Sequence, residues 1–490
     1  MSTTDAAFNH PNHRFKTLIA HAQAYGFIYP SSEIYDGLQS IYDYGPYGVV
    51  LKRNLQNFWW QSMTQLHLNI VGIDAAIMMH PTTWQASGHI DGFTDPMVDN
   101  KDSQKRYRVD TLVEEYAMQW VAQGQTAQAK ALMSEMQACL ETGNLPGLDQ
   151  LLQTFAIRCP LSKTTNWTPV RQFNLMFSTQ VGAQDDATTI YLRPETAQGI
   201  FVNFLNVQKT ARMKIPFGIA QIGKAFRNEI VARQFTFRMR EFEQMEMQFF
   251  IQPDTETKWF DYWKTARTAW YSSLGINPEQ LNLHPHKQLA HYATAAVDIE
   301  YAFPFGFKEV EGIHSRTDFD LTSHAHYSKK KLQYFDPDLQ RSYIPYVIET
   351  SVGLDRLVLM LLSNALVQTH HSTDATRTYL KLPPPLAPIK AAIFPLVKKD
   401  GLAEKALALF QQLKYDYPLI YEETPSIGKR YTRQDLIGTP YCITIDYQTL
   451  EDETVTVRER DSMAQHRISI AAVADYLHTN TSIKSLLVRL

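Results

Sequence analysis

Three consecutive prolines, Pro383 to Pro385 in KLPPPLAP, constrain this chain more than any other stretch. Each ring fixes φ and removes a backbone donor, so neither a helix nor a central strand can run through them. On their C-terminal side, over residues 384–490, the texture alternates. AAIFPLV, PLIYEE, YCITIDY and ETVTVRER have the apolar, β-branched character of strands, while GLAEKALALFQQLKY and ISIAAVADYLHT space apolar residues as helices do. That alternation predicts a small α/β unit. On the N-terminal side, residues from about Phe173 to Glu349 are rich in β-branched and aromatic residues broken by turns. They predict mostly antiparallel sheet with some helix, an α+β arrangement. YDYGPYG predicts a turn at Gly45-Pro46 leading into a helix from about Val49. Between these, at about residues 101–165, TLVEEYAMQWVAQGQTAQAKALMSEMQACL predicts a helical insertion, bounded by the loop ETGNLPGLD.

Composition excludes several classes. The 47 Lys+Arg and 50 Asp+Glu leave a formal net charge of -3, so the chain is no simple polybasic nucleic-acid binder, although a local basic surface stays open. The three cysteines, Cys139, Cys159 and Cys442, lie far apart, which suits a reducing cytoplasm rather than a disulfide scaffold. The most apolar run, Leu357 to Val367, is interrupted by Ser363 and Asn364 and falls short of the roughly 18 residues a spanning helix needs. MSTTDAAFNHPNHRF has neither the apolar core of a signal peptide nor an Arg-rich amphipathic pattern. The expectation is a cytoplasmic protein without a membrane segment.

No GxxxxGK[ST] loop, no GxGxxG after a strand and no HExxH occurs. Any nucleotide chemistry must grip phosphate in another way, and arginine, with its planar five-donor fork, is the natural substitute. GIAQIGKAFRNEIVARQFTFRMREFEQMEMQFFI, Gly218 to Ile251, fits that role. An apolar strand ends in Phe226-Arg227-Asn228-Glu229, a polar loop carries Arg233, Arg238 and Arg240, and a second strand starts near Phe242. Period-two alternation puts Phe242, Gln244, Glu246 and Gln248 on one face, and Glu243, Met245, Met247 and Phe249 on the other. The same pattern fits a half-buried hairpin with a solvated charged loop. In YIPYVIETSVGLDRLVLMLLSNAL an apolar strand runs into Glu349, a turn follows through Gly353, and an amphipathic helix starts near Leu354. Arg356 falls in the first turn of that helix, where a cation opposes the helix dipole unless it meets an anion or solvent.

These residues resemble the second and third signatures of the class II aminoacyl-tRNA synthetases. YLRPETAQGIFVNF, GKAFRNE, FRMREFEQMEMQFF, GIHSRTDFDL, the C-terminal IGKRYTRQDLIGTPYCITIDYQTLEDETVTVRERD and the N-terminal GFIYPSSEIYDGLQSIYDYGPYGVVLKRN together resemble the homodimeric type of glycyl-tRNA synthetase. The resemblance spans about residues 15 to 475, except most of the insertion. It implies a class II catalytic domain over residues 1–383, an antiparallel sheet flanked by helices, with an α/β anticodon-binding domain over 384–490. It also implies ATP and Mg²⁺ as cofactors, and glycine, tRNA(Gly) and a second copy of the chain as partners.

For the nucleotide, the resemblance implies that Arg227 grips the α-phosphate and the carboxylate under activation. Asn228 and Glu229 belong to the same site, and Phe242 stacks on adenine. Phe237, Arg238, Met239, Arg240 and Glu241 border ATP, and Arg356 holds the γ-phosphate beside Gly353, Leu354 and Asp355. Glu309, with Val310 next to it, would help place Mg²⁺ or nucleotide. For glycine, Glu195, Glu246 and Glu349 are the carboxylates around the ammonium, and Arg316 and Ser351 complete the pocket. Arg108, Glu243, Gln244, Met245, Thr350 and Val352 fall in the same substrate segments. Carboxylates clustered this closely are expected to titrate together and to be relieved by a bound ammonium. The first class signature would lie around AAIMMHPTTWQASGH, with Pro81 as its proline, and would build the dimer interface.

The chain departs from the family in two places. Where relatives carry paired cysteines resembling a zinc site, this sequence has Asn100 and Ser103, then Cys159 and Ser162. One thiolate does not make a structural zinc site, so the expectation is no zinc, with the insertion held by packing alone. Thr350 replaces a proline in ETSVGLDR. Among smaller signals, His324 and His326 form an HxH pair without a further ligand, and His370-His371 reads as solvated loop. SKKKL reads as basic surface. Lys429, Arg430, Arg433, Arg458 and Arg460 are either solvated charge or phosphate contacts. Two rivals stay open: a non-catalytic tRNA-binding relative, and a ligase loading a carrier other than tRNA.

Overall fold

The computed structural model describes residues 11–183, 187–230, 234–286, 289–290, 292–370 and 376–490, so Arg233 and His371 lie outside the described residues. A seven-stranded sheet forms the centre, in the order Leu281–Pro285, Ala295–Phe303, Gly306–Thr317, Tyr346–Gly353, Glu241–Ile251, Phe217–Phe226 and Ile70–Gly72. Neighbours are antiparallel except Ile70–Gly72, which lies parallel to Phe217–Phe226. The expected antiparallel sheet is therefore present.

Strand alternation divides the sheet into two faces. Met245, Met247 and Phe249 point into one core together with side chains of the helices Pro46–Thr64, Glu256–Ser273 and Leu354–Ala365. Full burial of each such side chain contributes about 1.5–3 kcal/mol. The opposite face is apolar at one end, where Phe217, Ile219, Phe250 and Val347 pack against the helix Ala197–Thr210. At its other end Gln221, Gln244, Glu246 and Glu349 are buried on that face. The polar end becomes the site.

The helix Pro46–Thr64 starts earlier than its sequence pattern indicates. Gly48 does not delay it, because the first turn lies against Phe27, where a Cβ on Gly48 would sit 1.8 Å from the carbonyl oxygen. The strand Tyr346–Gly353 passes directly into Leu354–Ala365 without the expected separate turn.

The insertion is not purely helical. The helices Val109–Ala122, Thr126–Glu141 and Leu145–Thr154 pack on a three-stranded sheet of Thr94–Asn100, Lys105–Arg108 and Arg171–Asn174. Packing is not its sole tie. The buried Asn100 Oδ1 accepts from the Ser103 amide and the Ser162 hydroxyl, both at 2.9 Å. Cys159 Sγ lies 3.4 Å from Ser103 Oγ and 3.3 Å from the Tyr107 hydroxyl. Burial pushes this thiol up, but the Ser103, Ser162 and Tyr107 donors outweigh it and hold it down to about 6. Hydroxyls and an amide surround the one thiol, a donor set that does not suit four-coordinate zinc.

The C-terminal sheet runs Leu419–Tyr421, Ala391–Pro395, Tyr441–Ile445, Thr454–Glu459 and Gln465–Ser469. Its first three strands are parallel and the rest antiparallel. ISIAAVADYLHT is not one helix: Ile468 and Ser469 end a strand and the helix is Val473–Thr481. IGKRYTRQDLI forms a helix, Ile427–Ile437, that the sequence pattern did not indicate. The proline segment is pinned rather than loose. Lys390 Nζ donates to the Pro385 and Ala387 carbonyls at 2.6 and 2.9 Å, and Asn54 Nδ2 donates to Leu386 O at 3.0 Å. Leu486, near the end of the chain, returns to the first core. Among the described residues no helix is long and apolar enough to cross a membrane.

Candidate active site

The polar end of the sheet opens into a cleft. One half is built of arginine and aromatic rings. Arg227 follows directly on Phe217–Phe226; its amide donates to Arg240 O at 2.9 Å and its Nε to Pro194 O at 3.0 Å. The guanidinium lies 5.4 Å from the Phe93 ring centroid and 5.3 Å from that of Phe242, within cation–π reach of both. Opposite, in the first turn of Leu354–Ala365, Arg356 lies 4.4 Å from the Phe237 ring centroid, and its Nε donates to Phe237 O at 3.1 Å. Its Nη1 lies 2.9 Å from Glu309 Oε2. Arg238 Nη1 stands 3.8 Å from Glu229 Oε2. The Arg227 and Arg356 forks are thus fixed by backbone carbonyls before any ligand arrives.

The other half is an acidic cup. Glu246 Oε1 accepts from Ser351 Oγ at 2.6 Å, and its Oε2 accepts from the Thr196 amide at 3.0 Å and from the Thr196 hydroxyl. Glu349 Oε1 accepts from Gln248 Nε2 at 2.7 Å, and both Glu349 oxygens lie 3.2 Å from Arg316 Nη1. Arg316 also holds Asp320 in a two-point pair at 2.8 and 3.0 Å and stacks on Tyr292 at 4.0 Å. Glu195 accepts from Gln198 at 2.9 Å and lies 3.5 Å from His89 Nε2.

Their protonation diverges. Burial, then the charges of Glu349 and Glu195, push Glu246 up to about 7. Burial also acts against the Glu349 carboxylate, but Arg316 and His314 hold it down to about 2. For Glu195 burial is likewise outweighed, by His89, Arg316 and Gln198, and its carboxyl stays well below the usual range. The empty cup therefore has two fixed anions and one carboxyl that ionises near neutrality.

Arg227, Glu229, Phe237, Arg238, Met239, Phe242, Glu309, Gly353, Asp355 and Arg356 all line the cleft, as do Glu195, Glu243, Gln244, Glu246, Arg316, Glu349 and Ser351. Other expected contacts do not. Met245, Val310, Val352 and Leu354 belong to the apolar core: period two turns Met245 and Val352 away from the site, Val310 falls at a register shift between its strand and Ala295–Phe303, and Leu354 opens a helix whose apolar face packs inward. Thr350 is fully buried next to them and does not line the cleft. Arg108 is paired with Asp95 and Asp110 in the insertion. Arg240 donates its Nε to Glu229 O at 2.9 Å, and Glu241 pairs with Lys224. Asn228 donates its amide to Leu175 O at 2.7 Å, a loop-fixing contact. Each of these shapes the segment rather than the cavity.

Sequence reading missed His89, His314, Gln198, Tyr292 and Asp320. For His314 and Asp320 a signal existed: they stand two residues before and four residues after Arg316 in IHSRTDFD, at strand and turn spacing. His89, Gln198 and Tyr292 come from separate loops and helices, with no local pattern. In the HxH pair His324 is buried with Nε2 2.7 Å from Gln198 Oε1, and no group of three His, Cys, Asp or Glu side chains that could hold a metal ion occurs among the described residues. Arg430, Arg458 and Arg460 are buried, so they are neither solvated nor phosphate contacts; Lys429 and Arg433 are exposed.

Comparison with known proteins agrees with this geometry. Residues 177–365 match the tRNA synthetase class II core domain (G, H, P, S and T), residues 390–480 the anticodon binding domain, and residues 95–131 and 121–175 the glycyl-tRNA synthetase insertion domain 1. A glycine–tRNA ligase of Chlorobaculum tepidum is 51% identical over 94% of this chain and 99% of its own length. One of Staphylococcus aureus is 50% identical over 95% of this chain and 98% of its own. A crystal structure titled as the RNA binding domain of threonyl-tRNA synthetase from Cryptosporidium parvum superposes with a TM-score of 0.62 over 95% of this chain and 98% of that one, at 14% identity. That likeness concerns the fold alone.

Proposed function

The chain belongs to the family of glycine–tRNA ligases, and we propose that this one cleft performs both half-reactions with the residues described above. A glycine carboxylate oxygen attacks the α-phosphorus of ATP, the bond to the β,γ-diphosphate breaks, and glycyl-adenylate and pyrophosphate form. The terminal adenosine hydroxyl of tRNA then attacks the glycyl carbonyl, and AMP leaves. Such transfers depend mostly on positioning and charge stabilisation.

Arg227 stabilises charge on the α-phosphate and the attacking carboxylate, while Phe242 offers adenine a ring face. Arg356 and Arg238 receive the outer phosphates, with Glu229 orienting Arg238. The ammonium of glycine enters among Glu195, Glu246 and Glu349. The observation that carries the reading is the conjunction of this cup with the Arg227–Phe242–Arg356 channel in a single cleft. A hydrophobic pocket would discriminate one methylene by only about 1–3 kcal/mol. Here the walls are tied together by the Thr196–Glu246–Ser351 and Arg316–Glu349 bonds and the Arg316–Tyr292 stack, so they yield little to a methyl.

Glu309 fits a role toward Mg²⁺. One of its oxygens is engaged by Arg356, and the side chain remains nearly half exposed at 45%. Mg²⁺ characteristically binds one or two carboxylates plus substrate phosphates rather than a protein cage. Glu309 would hold the ion, which when bound would supply positive charge against the departing diphosphate.

The wider reading, a catalytic unit over residues 1–383 with its insertion near 101–165 and an anticodon-binding unit over 384–490, is supported by separate apolar cores in these ranges, with Leu386 and Leu486 joining the first. Exposed Lys429 and Arg433 are candidate backbone contacts for tRNA. Apolar Met78, just before the helix Pro81–Ala86, is 58% exposed and suits a contact with a second copy of the chain. The test is glycine-dependent pyrophosphate exchange, with alanine and serine as controls. Exchange with glycine alone is expected; comparable exchange with alanine would refute the cramped cup.

A further inference from the structure

His314 is the cross-strand partner of Glu349, and its Nδ1 lies 2.9 Å from Glu349 Oε2, close enough for direct charge contact. Glu349 Oε1 is already engaged by Gln248. Arg316, the fixed cation of this corner, is shared between Glu349 and Asp320. His314 lines the same cleft. Its ring folds along the strand over Gly312, where a Cβ would lie 2.6 Å from His314 Cε1. The missing side chain at 312 thus lets the imidazole rest against the carboxylate instead of being pushed away from it.

We propose that His314 is a positioning residue whose imidazolium competes with the substrate ammonium for Glu349, so that glycine binds as His314 releases its proton to solvent. The proposal rests on the reading of this cleft as the glycine site. In the empty cup the imidazolium fixes Glu349 in place and lowers the net negative charge. In the occupied cup the ammonium takes over that charge, and the neutral ring still fills the space above Gly312.

The groups facing His314 are consistent with a proton that can be exchanged. Glu349 faces it from Tyr346–Gly353, and Arg316 and Glu309 act on it from its own strand. From the next strand, Asp298 acts on it and pairs with His286, whose ring centroid is 6.0 Å from that of His314. Burial pushes the His314 imidazole down, but Glu349 outweighs burial and holds the ring above its ordinary value. Glu349 remains anionic throughout the neutral range, so the imidazole is the member of this pair that carries an exchangeable proton.

Glu246 also titrates near neutrality and weakens ammonium binding in the same direction on acidification. Replacing His314 separates the two. Glycine KM and kcat would be measured by pyrophosphate exchange from about pH 6 to about pH 8 for the full-length protein and His314→Asn. The expected result is that the rise in glycine KM on acidification shrinks by roughly threefold or more in the variant, while the pH dependence of kcat stays that of the parent. An unchanged KM ratio would overturn the proposal. If His314→Asn fails to fold, His314→Gln serves the same comparison. Calorimetry of glycine binding in two buffers of different ionisation enthalpy gives the second reading: fewer protons released by the variant supports the proposal, and an equal count overturns it. Loss of glycine-dependent exchange in the parent protein would sink the site assignment itself, an outcome distinct from a failed His314 comparison.

Discussion

Two regions of this molecule bury charge to the same depth and treat it in opposite ways. At the joint to the C-terminal unit, Asp435 accepts from Arg458 at 2.9 and 3.1 Å and from Arg377 at 3.0 and 2.9 Å. Arg460 spends its fork on Gly438 O, Leu382 O and Asp461, and Arg430 on the Pro395 and Leu396 carbonyls. Every one of these charges meets fixed partners within the chain. In the cup, by contrast, Glu195, Glu246, Glu349 and Asp320 gather around Arg316, with histidines supplementing it. Burial of paired charge holds the joint together; burial of surplus negative charge leaves the cup waiting for a cation from outside.

The joint gives the largest test of that contrast. Asp435→Ala leaves Arg458 buried without its counter-ion and should lower stability by about 3–5 kcal/mol, read by chemical denaturation. A loss under about 1 kcal/mol would show that the joint is not a structural ion cluster. Truncation is a poorer probe, since removing residues 388–490 would also strip Leu486 from the catalytic core.

Next in size, Arg227→Ala should reduce pyrophosphate exchange by about 10²–10³-fold, because charge on the α-phosphate loses its fixed donor. Its melting temperature should hardly move; unchanged exchange would remove Arg227 from the mechanism.

The cup should show the opposite sign in stability. Burial and like charge raise Glu246 from its ordinary value of 4.5 to about 7. A raised carboxyl contributes stability below about pH 4.5 that is lost as pH climbs through about 7. Glu246→Gln is therefore expected to be more stable than the parent by roughly 1–3 kcal/mol at mildly alkaline pH, with no gain at acid pH, while glycine activation is lost. Denaturation of both proteins across that window is the measurement; a variant less stable than its parent above neutrality would contradict the surplus-charge picture.

The smallest effect belongs to the surface. Arg433, with its side chain 58% exposed and 3.8 Å from Glu422, should change stability by less than about 0.5 kcal/mol on replacement by Ala. tRNA affinity should fall and its salt dependence should flatten by about one unit of slope. Unaltered tRNA binding would return Arg433 to the category of plain solvated charge.

Much of the catalytic frame was legible in the chain. The alternation of Glu241–Ile251 and the position of Arg356 could be read before any coordinates, because both depend on local periodicity. For Met245, Thr350 and Val352, which the resemblance implies as substrate contacts, the same periodicity points inward, away from the cleft. Residue type alone leaves Arg430, Arg458 and Arg460 as either solvated charge or phosphate contacts. Nothing near them in sequence marks Asp435, or the Pro395 and Gly438 carbonyls, as their partners. The insertion misled in the same way: its helices are strongly periodic, whereas the short Lys105–Arg108 and Arg171–Asn174 strands gain their identity only by pairing with Thr94–Asn100.

By itself the sequence determined which faces the strands would have and which chemical groups they would present, since backbone geometry fixes both at short range. Only the tertiary structure decided the state of those groups. His89 reaches Glu195, His314 meets Glu349 across a strand pair, and Arg377 reaches Asp435 from another unit of the chain. Electrostatic energy in a buried site depends on distance and on the surrounding dielectric, neither of which is encoded by spacing along the chain.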